Sequence, residues 1–297
     1  STLMRSSAAS DVYKRQGLYD HDLDFREVME ELCKKRKKLH PVRLQLSETF
    51  SQPALEFLCK KLELNEEHIF YLKTPLDLSF AGDIADICND PSLKFDKLVP
   101  QKSESIAETM NIIPQIKRRD ILLSYPYESI KPFIQLLNEA AKDPKVTDIK
   151  ITLYRLAKNS QIIEALCDAA ENGKNVLVLV ELRARFDEEN NIGWSRRLQD
   201  SGCNIIYGPR DLKVHSKLLL ITRKIGQKTE YITQIGTGNY NEKTSALYTD
   251  LSLMTANPDI GTDAERLFDA LLNNRLIEES EHLLIAPLAL RDPIPVS

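Results

Sequence analysis

The sequence contains no long apolar run, and none of its hydrophobic stretches approaches the roughly 18 residues of a membrane-spanning helix. It has no evident signal peptide either. The five cysteines are odd in number and show no C-x-x-C or other metal-binding spacing, so a disulfide framework and a zinc site are both disfavoured. We interpret them as small buried side chains in a reduced cytosol: Cys33, Cys59, Cys88, Cys167 and Cys203.

An excess of positive charge is also missing. The formal net charge is -4 and the pI is about 5.9, which argues against a nucleic-acid protein that binds through bulk charge. Any site for a polyanion must therefore be a local basic cluster, and candidates for it are Arg155, Arg183, Arg185, Lys213 and Lys217. With 42% hydrophobic and 28% charged residues, the 297-residue chain has the composition of one large or two ordinary globular domains.

The amino-terminal third divides into segments of different character. Residues 6–16 read SSAASDVYKRQ and resemble a translated sequencing adapter, so residues 1–16 are predicted not to belong to the native fold. Helical spacing predicts a helix from Asp22 to Lys38, whose basic end is either a solvated helix terminus or a polyanion patch. A strand at 42–46 and a helix at 52–62 follow, and prolines then mark an irregular segment up to a boundary near residue 100.

Beyond that boundary, strands and helices alternate regularly. The pattern predicts an α/β layer with a mostly parallel sheet. Such sheets carry their chemistry at the carboxyl ends of the strands, where Arg155, Arg183 and Arg185 fall. The predicted elements are a helix at 127–142, a strand at 149–154, a helix capped by Ser160 and ended by Gly173, a strand at 176–182, a helix at 188–200 and a strand at 203–207.

The segment LKVHSKLLLIT, residues 212–222, places His215 two residues before Lys217 on a strand-like stretch. Alternate side chains on a strand share a face, so the two are predicted to project together from the end of a buried strand. The segment QIGTGNYNEKTSALYTD, residues 234–250, then brings back Thr237 and Asn239 on a turn with two glycines, which permits close approach of the backbone to an anion. Imidazole, ammonium, hydroxyl and amide groups around one turn predict a phosphate site.

The order H-x-K followed by G-T-G-N resembles the signature of the phospholipase D superfamily, in which the histidine attacks phosphorus; Thr222 stands where that pattern has an aspartate. A broader set of blocks resembles the polyphosphate kinase family that phosphorylates its own histidine, although Ser124 replaces an expected histidine. These blocks are DILLSYPYESI at 120–130, DIKITLYRLAKNSQIIEALCDAAENGKNV at 148–176, LVELRARFDEENNIGW at 179–194, the histidine segment and IGTGNYNEKT at 235–244.

The resemblance implies a phospholipase D-like α/β sandwich domain at 104–297, preceded by a partial α+β domain, the middle or head domain, at 17–103. It implies reversible transfer of the terminal phosphate of ATP to inorganic polyphosphate through a phosphohistidine on His215, with Mg²⁺ as cofactor and with Lys217 and Asn239 on phosphate oxygens. Arg155 and Arg185 match arginines of the family's magnesium–phosphate site; since arginine cannot ligate a cation, they are expected to hold the phosphate oxygens that carry Mg²⁺.

Other assignments have open alternatives. Tyr248 resembles the family's adenine-contacting tyrosine, or it is a core residue, and Arg183 either shares the phosphate site or is surface charge. The acids at 187–189 are interpreted as a helix N-terminus rather than a metal site. His215 itself has the alternative of a hydrogen-bonded core histidine.

Two rival functions remain: a phospholipase D-like phosphodiesterase, and a polyanion-binding module without turnover. The second arises because no further H-x-K block follows residue 250, so the isolated chain is expected to be an inactive fragment. The expected partners are ATP, ADP and polyphosphate, without nucleic acid. The parent enzyme is expected to be a cytoplasmic homo-oligomer without a transmembrane segment, and peripheral association with the membrane is left open.

Overall fold

The computed structural model describes residues 3–4, 31, 34–35, 38–48, 50–88, 90–96, 98–107, 109–154, 156–157, 160–181, 188–208 and 213–290. The chain divides into two compact units, Ser1–Lys97 and Leu98–Ser297. Among the described helices, none combines the length and the apolarity that a membrane span requires.

The first unit packs a helix on a small sheet. The sheet has the order β1 (Leu3–Met4), β2 (Leu44–Ser47) and β3 (Ile69–Leu72), with β2 antiparallel to β1 and parallel to β3. The helices are α1 (Gln52–Leu62) and α2 (Phe80–Ile87). Leucines of β2 and α1 form the core with one leucine of the following loop: Leu44, Leu46, Leu55 and Leu64.

The predictions for this unit hold best where a cap marks the helix. The Ser51 side chain accepts a hydrogen bond from the backbone N–H of Ala54, and α1 begins at Gln52 as predicted. The irregular segment predicted from Pro75, Pro91 and Pro100 is wrong in part, because α2 lies within it; β3, which precedes Pro75, was not predicted and forms by pairing with β2. The predicted helix at 22–38 lies mostly outside the described residues, and of residues 1–16 only those of β1 are described, so both interpretations stay predictions.

The second unit contains a seven-stranded sheet in the order β4-β10-β9-β8-β5-β6-β7. The strands are β4 (Ile121–Tyr125), β5 (Val146–Leu153), β6 (Asn175–Val180), β7 (Asn204–Tyr207), β8 (Lys217–Ile225), β9 (Lys228–Gly236) and β10 (Asp250–Thr255). The helices are α3 (Ile112–Ile116), α4 (Lys131–Lys142), α5 (Gln161–Glu171), α6 (Glu188–Asp200) and α7 (Pro258–Leu272).

The expectation of a mostly parallel sheet is wrong. Only β5, β6 and β7 run parallel, as the strand–helix alternation predicts, whereas β8, β9, β10 and β4 pair antiparallel. The reversal begins at β8, which pairs antiparallel with β5, and β8 then returns directly into β9 through a tight turn at Gly226, whose φ of 61° suits glycine. A hairpin needs no crossover helix, so the rest of the sheet grows antiparallel.

Helices cover both faces of this sheet and confirm the predicted α/β sandwich. On one face, Leu177, Leu218 and Leu220 pack against Ala264 and Phe268 of α7. On the other face, α4 and α5 pack against each other and against β5 and β6. Residues of β8 that point to either face are therefore buried, as predicted for Leu218–Ile221.

Helix ends follow their local signals. Ser160 caps α5 as predicted, and Gly173 and Gly202 follow α5 and α6 with φ of 78° and 93°. The predicted start of α4 at Tyr127 is wrong, because α4 begins at Lys131 and Pro132 lies in its first turn. Glu128 instead belongs to a turn that returns to β4, where its carboxylate accepts from the Ser124 N–H at 2.7 Å.

Candidate functional site

Four strand ends meet at one edge of the sheet in the second unit. Lys217, the first residue of β8, lies opposite Gly236, the last residue of β9, and Gly236 also pairs with Ser252 of β10. The carboxyl end of β5 lies beside the start of β8, since β5 and β8 are antiparallel. Residues far apart in sequence therefore converge at this edge, which we call the β5–β8 edge.

The histidine and the lysine of the H-x-K motif have different surroundings. Lys217 lies within β8 with 6% of its surface exposed, whereas His215 is exposed and precedes the strand. His215 does not lie within the strand as predicted, because β8 begins at Lys217, opposite the last residue of β9; the two side chains nevertheless project together, as predicted, since both lie near the ring of Tyr154. They remain linked: the Lys217 ammonium group donates a hydrogen bond to the backbone carbonyl of His215.

A tyrosine not singled out by the sequence joins them. The Tyr154 ring, directly after β5, meets the His215 imidazole edge to face, with centroids 5.2 Å apart and planes at 80°. The Lys213 ammonium nitrogen lies 4.8 Å from the centroid of the same ring, and that of Lys217 lies 5.6 Å from it. Both distances are within the range of cation–π attraction.

Charge and burial set the protonation of these groups. Partial desolvation, helped by the neighbouring Lys217 and Lys213, lowers the pKa of His215 below its ordinary value of 6.5, so the imidazole is mostly neutral at pH 7. Burial lowers the pKa of Lys217 to about 8, while Asp250 opposes the shift and Lys213 adds to it. At neutral pH the site thus combines a neutral imidazole with an ammonium group that is still mostly charged.

The glycine turn is held by Asp250, the first residue of β10. The Thr237 hydroxyl donates to the Asp250 carboxylate at 2.8 Å and accepts from the Leu251 N–H at 2.9 Å. A β-carbon on Gly238 would collide with the Asp250 side chain. At this position glycine is required for the approach of a neighbouring carboxylate, whereas the sequence suggested approach to an anionic ligand.

The rest of this loop is tied to a helix. Asn239 is half-buried, and its side-chain oxygen lacks a hydrogen-bond partner within the described part of the chain. One oxygen of the Glu242 carboxylate accepts from the Ser160 hydroxyl at 2.9 Å and from the Gln161 N–H at 2.8 Å. Glu242 therefore anchors the loop to the amino terminus of α5.

Tyr248 follows a short 3₁₀ turn, Thr244–Ala246, and is 63% exposed. The alternative of a core tyrosine is therefore wrong. An exposed ring is able to stack on a planar ligand.

The structure places the other predicted residues as follows. Arg155, Arg183, Arg185 and Asp187 lie outside the described residues, so their roles stay predictions. Thr222 is buried in β8, paired with Asp148 and Tyr231 away from the β5–β8 edge. Cys167 and Cys203 are buried, Cys59 and Cys88 are half-buried, and Cys33 is not described.

Three residues at this edge were missed from the sequence: Tyr154, Asp250 and Glu242. Each lies inside a block that the sequence singles out, but none carries a motif of its own. An aromatic residue directly after a predicted strand was the available signal for Tyr154. What the sequence does not provide is the register that sets β5 against β8 and β10 beside β9.

Oxygen ligands for a divalent cation are scarce here. Within the described ranges, no three His, Cys, Asp or Glu side chains form a group able to hold a metal. The β5–β8 edge offers ammonium and imidazole groups, and its Asp250 carboxylate already accepts from Thr237. These residues suit a cation that is carried by the oxygens of a bound phosphate rather than by the protein.

Two family models match the chain. The model "Polyphosphate kinase C-terminal domain 1" matches residues 111–276, and "Polyphosphate kinase middle domain" matches residues 10–84. The first match alone covers more than half of the chain and includes the whole β5–β8 edge.

Curated relatives and a solved structure are similar to the chain and are polyphosphate kinases, like the two family models. A polyphosphate kinase of Staphylococcus epidermidis is 43% identical over 89% of this chain and 36% of its own length. One of Halalkalibacterium halodurans is 44% identical over 90% of this chain and 38% of its own length. The crystal structure of polyphosphate kinase from Porphyromonas gingivalis aligns with a TM-score of 0.64 and 35% identity over 80% of this chain and 36% of that one. The chain thus spans little more than a third of the relatives it matches.

Proposed function

The chain belongs to the polyphosphate kinase family, and from this premise we propose that its β5–β8 edge is half of a phosphoryl-transfer site in which His215 is the nucleophile. The observation that carries the proposal is the pairing of an exposed, mostly neutral imidazole with two lysine ammonium groups around one ring. A neutral imidazole has a free electron pair for phosphorus, and ammonium groups compensate the charge of the phosphate.

In the proposed reaction, an imidazole nitrogen of His215 attacks the terminal phosphorus of ATP. The bond from that phosphorus to the bridging oxygen breaks, and ADP leaves with the electron pair. The imidazole then loses the proton on its other nitrogen, which leaves a phosphohistidine whose ring is uncharged. In the second half the ring takes a proton back on that nitrogen, a terminal oxygen of polyphosphate attacks the same phosphorus, and the phosphorus–nitrogen bond breaks with its electron pair left on the ring nitrogen, which regenerates the neutral imidazole. Phosphohistidine is a high-energy phosphoramidate, so transfer in both directions is feasible.

The neighbouring residues have proposed roles in binding. Lys217 and Asn239 contact phosphate oxygens, and Arg155 and Arg185 grip the same group with bidentate guanidinium contacts, with Arg183 as a further candidate. The exposed ring of Tyr248 stacks on the adenine base. Mg²⁺ held by the phosphate oxygens would neutralise charge on the transferred group.

Phosphohistidine formation tests the proposal. The chain, alone and within the complete reading frame that encodes it, is incubated with ATP or polyphosphate carrying labelled phosphate. We expect the label on His215 in the complete protein, stable to base and labile to acid, and its loss in His215→Gln with folding intact. The chain alone should bind polyphosphate, more weakly as salt increases, without extending it.

The rival functions give other results. Release of an alcohol from a phosphodiester, with no exchange between ATP and ADP, would identify a phosphodiesterase. Binding without any labelled histidine in the complete protein would identify a binding module. Label on a different residue would show that His215 is not the nucleophile.

A further inference from the structure

Tyr154 is the common neighbour of His215, the proposed nucleophile, and of two lysines whose ammonium groups would bind the phosphate. Its ring contacts the His215 imidazole and lies within 4.8 and 5.6 Å of the Lys213 and Lys217 ammonium nitrogens. We infer that Tyr154 is a positioning residue of this site, whose aromatic ring orients His215 and both ammonium groups toward one phosphate.

The position of the ring is fixed by the sheet. The hydroxyl of Thr152 donates to the carbonyl of Ser216 at 2.8 Å and accepts from the N–H of Leu218 at 3.1 Å. This clamp lies at the point where β8 begins, and Thr152 itself is buried. Tyr154 lies two residues further on, so the clamp holds it beside the segment that carries His215.

His215 needs such a neighbour because it lies outside the strand. Its main chain has no ladder partner in the described register, and its imidazole is exposed. An exposed side chain samples several rotamers, and restricting them on binding costs free energy. An edge-to-face contact with a half-buried ring removes much of that freedom before the ligand arrives.

The ring also suits the two ammonium groups. An ammonium group has three N–H donors, so one can point at the ring while the rest donate to oxygens; Lys217 already gives one of them to the His215 carbonyl and keeps one for a phosphate oxygen. Two like charges near one ring repel each other, and the electron-rich face of the ring offsets part of that repulsion. Tyr154 thus keeps Lys213 and Lys217 together where an anion can bridge them.

The inference rests on the proposed phosphate site, and its test separates the two. Tripolyphosphate is titrated into wild type, Tyr154→Phe and Tyr154→Leu at fixed ionic strength, with Tyr71→Leu, on strand β3 of the first unit, as the matched control. Phe keeps the ring, and Leu keeps apolar bulk without it. We expect Phe and the control to bind within about twofold of wild type and Leu to bind about fivefold more weakly, the size expected for two partly exposed cation–π contacts.

The orientation of His215 is measured in the same proteins by nuclear magnetic resonance. Wild type and Tyr154→Phe should show contacts between the ring at 154 and the imidazole and a single χ1 rotamer, and Tyr154→Leu should show rotamer averaging. A Leu variant that keeps both the affinity and the rotamer, or a Phe variant as impaired as Leu, overturns the inference. If wild type fails to bind tripolyphosphate, the proposed site is wrong, and the His215 rotamers alone decide whether Tyr154 orients it.

Discussion

His215 and Lys217 show how two residues of one short motif acquire different properties. Lys217 is buried at the strand end, whereas His215 is exposed. The pKa of each is lowered, which favours the neutral form of both side chains. For the imidazole this shift increases the neutral, nucleophilic form at pH 7. For the lysine it brings deprotonation close to physiological pH, so anion binding at the proposed site is expected to weaken in mild alkali.

This difference yields a prediction about pH. The pKa of Lys217 is about 8, so its charge is mostly present at pH 7 and mostly lost at pH 9. We expect the affinity for tripolyphosphate to fall several-fold over that interval, because one positive charge leaves the site. Isothermal titration at constant ionic strength measures it.

The control is Lys217→Arg, which stays charged throughout the interval and should give a flatter profile. His215 cannot produce the same fall, because its lowered pKa means that it is already mostly neutral at pH 7. Identical pH profiles for wild type and the arginine variant would show that Lys217 does not carry the binding charge.

At the scale of elements, the loop after β9 is held from two sides. Asp250 binds Thr237 at the start of the loop, and Glu242 binds the amino terminus of α5 further along. The free N–H groups of a helix start favour a carboxylate, so the second anchor gains from the helix dipole. The two anchors leave little freedom to the residues between them.

We predict that Glu242→Gln lowers the free energy of unfolding by about 1–3 kcal/mol, since hydrogen bonds to a charged acceptor become hydrogen bonds to a neutral one. Chemical denaturation measures the change. The matched control is Glu164→Gln on α5 itself, where the carboxylate is exposed and one of its oxygens lies 3.9 Å from a guanidinium nitrogen of Arg197. That change should cost no more than about 0.5 kcal/mol. Equal losses in both variants would mean that the Glu242 anchor adds nothing.

The elements also show how far sequence reasoning reaches. The α1 and α6 helices and the Ser160 cap of α5 were predicted well, since caps, glycines and apolar spacing are local signals. The start of α4 was missed because Glu128 is drawn into a turn that returns to Ser124 of β4, and the direction of β8 was missed because it is set by pairing with β5, which is distant in sequence. The same limit explains why the sequence singles out His215 and Lys217, which share one short motif, but not Tyr154 and Asp250, which reach the same place through strand pairing.

At the scale of the whole molecule, the two units have separate cores. The first unit is centred on Leu44, Leu46 and Leu55, and the second packs β6 and β8 on α7 around Phe268. A separate apolar core is what a unit needs to fold by itself. The proposed site lies entirely in the second unit.

We therefore predict that residues 98–297, expressed without the first unit, fold cooperatively and bind tripolyphosphate with the affinity of the complete chain. Thermal unfolding by circular dichroism and titration of the ligand test this. A companion variant, Phe268→Ala, removes a large core side chain and should unfold at much lower temperature, since such a truncation costs about 3–5 kcal/mol. If the isolated unit shows no cooperative transition, the separate-core argument is wrong.

The Thr152 clamp has a consequence for the order of folding. Its hydrogen bond to Leu218 joins residues 66 positions apart, so the site exists only after a long segment of chain has closed into a loop. Closure of this kind is slow, because its entropic cost precedes the contacts that reward it. Helices α4 and α5, built from local contacts, can form earlier in refolding, whereas His215 meets Tyr154 only once β8 has docked on β5. Recovery of anion binding after dilution from denaturant would therefore follow recovery of helix, and a chain that binds phosphate has already completed its sheet.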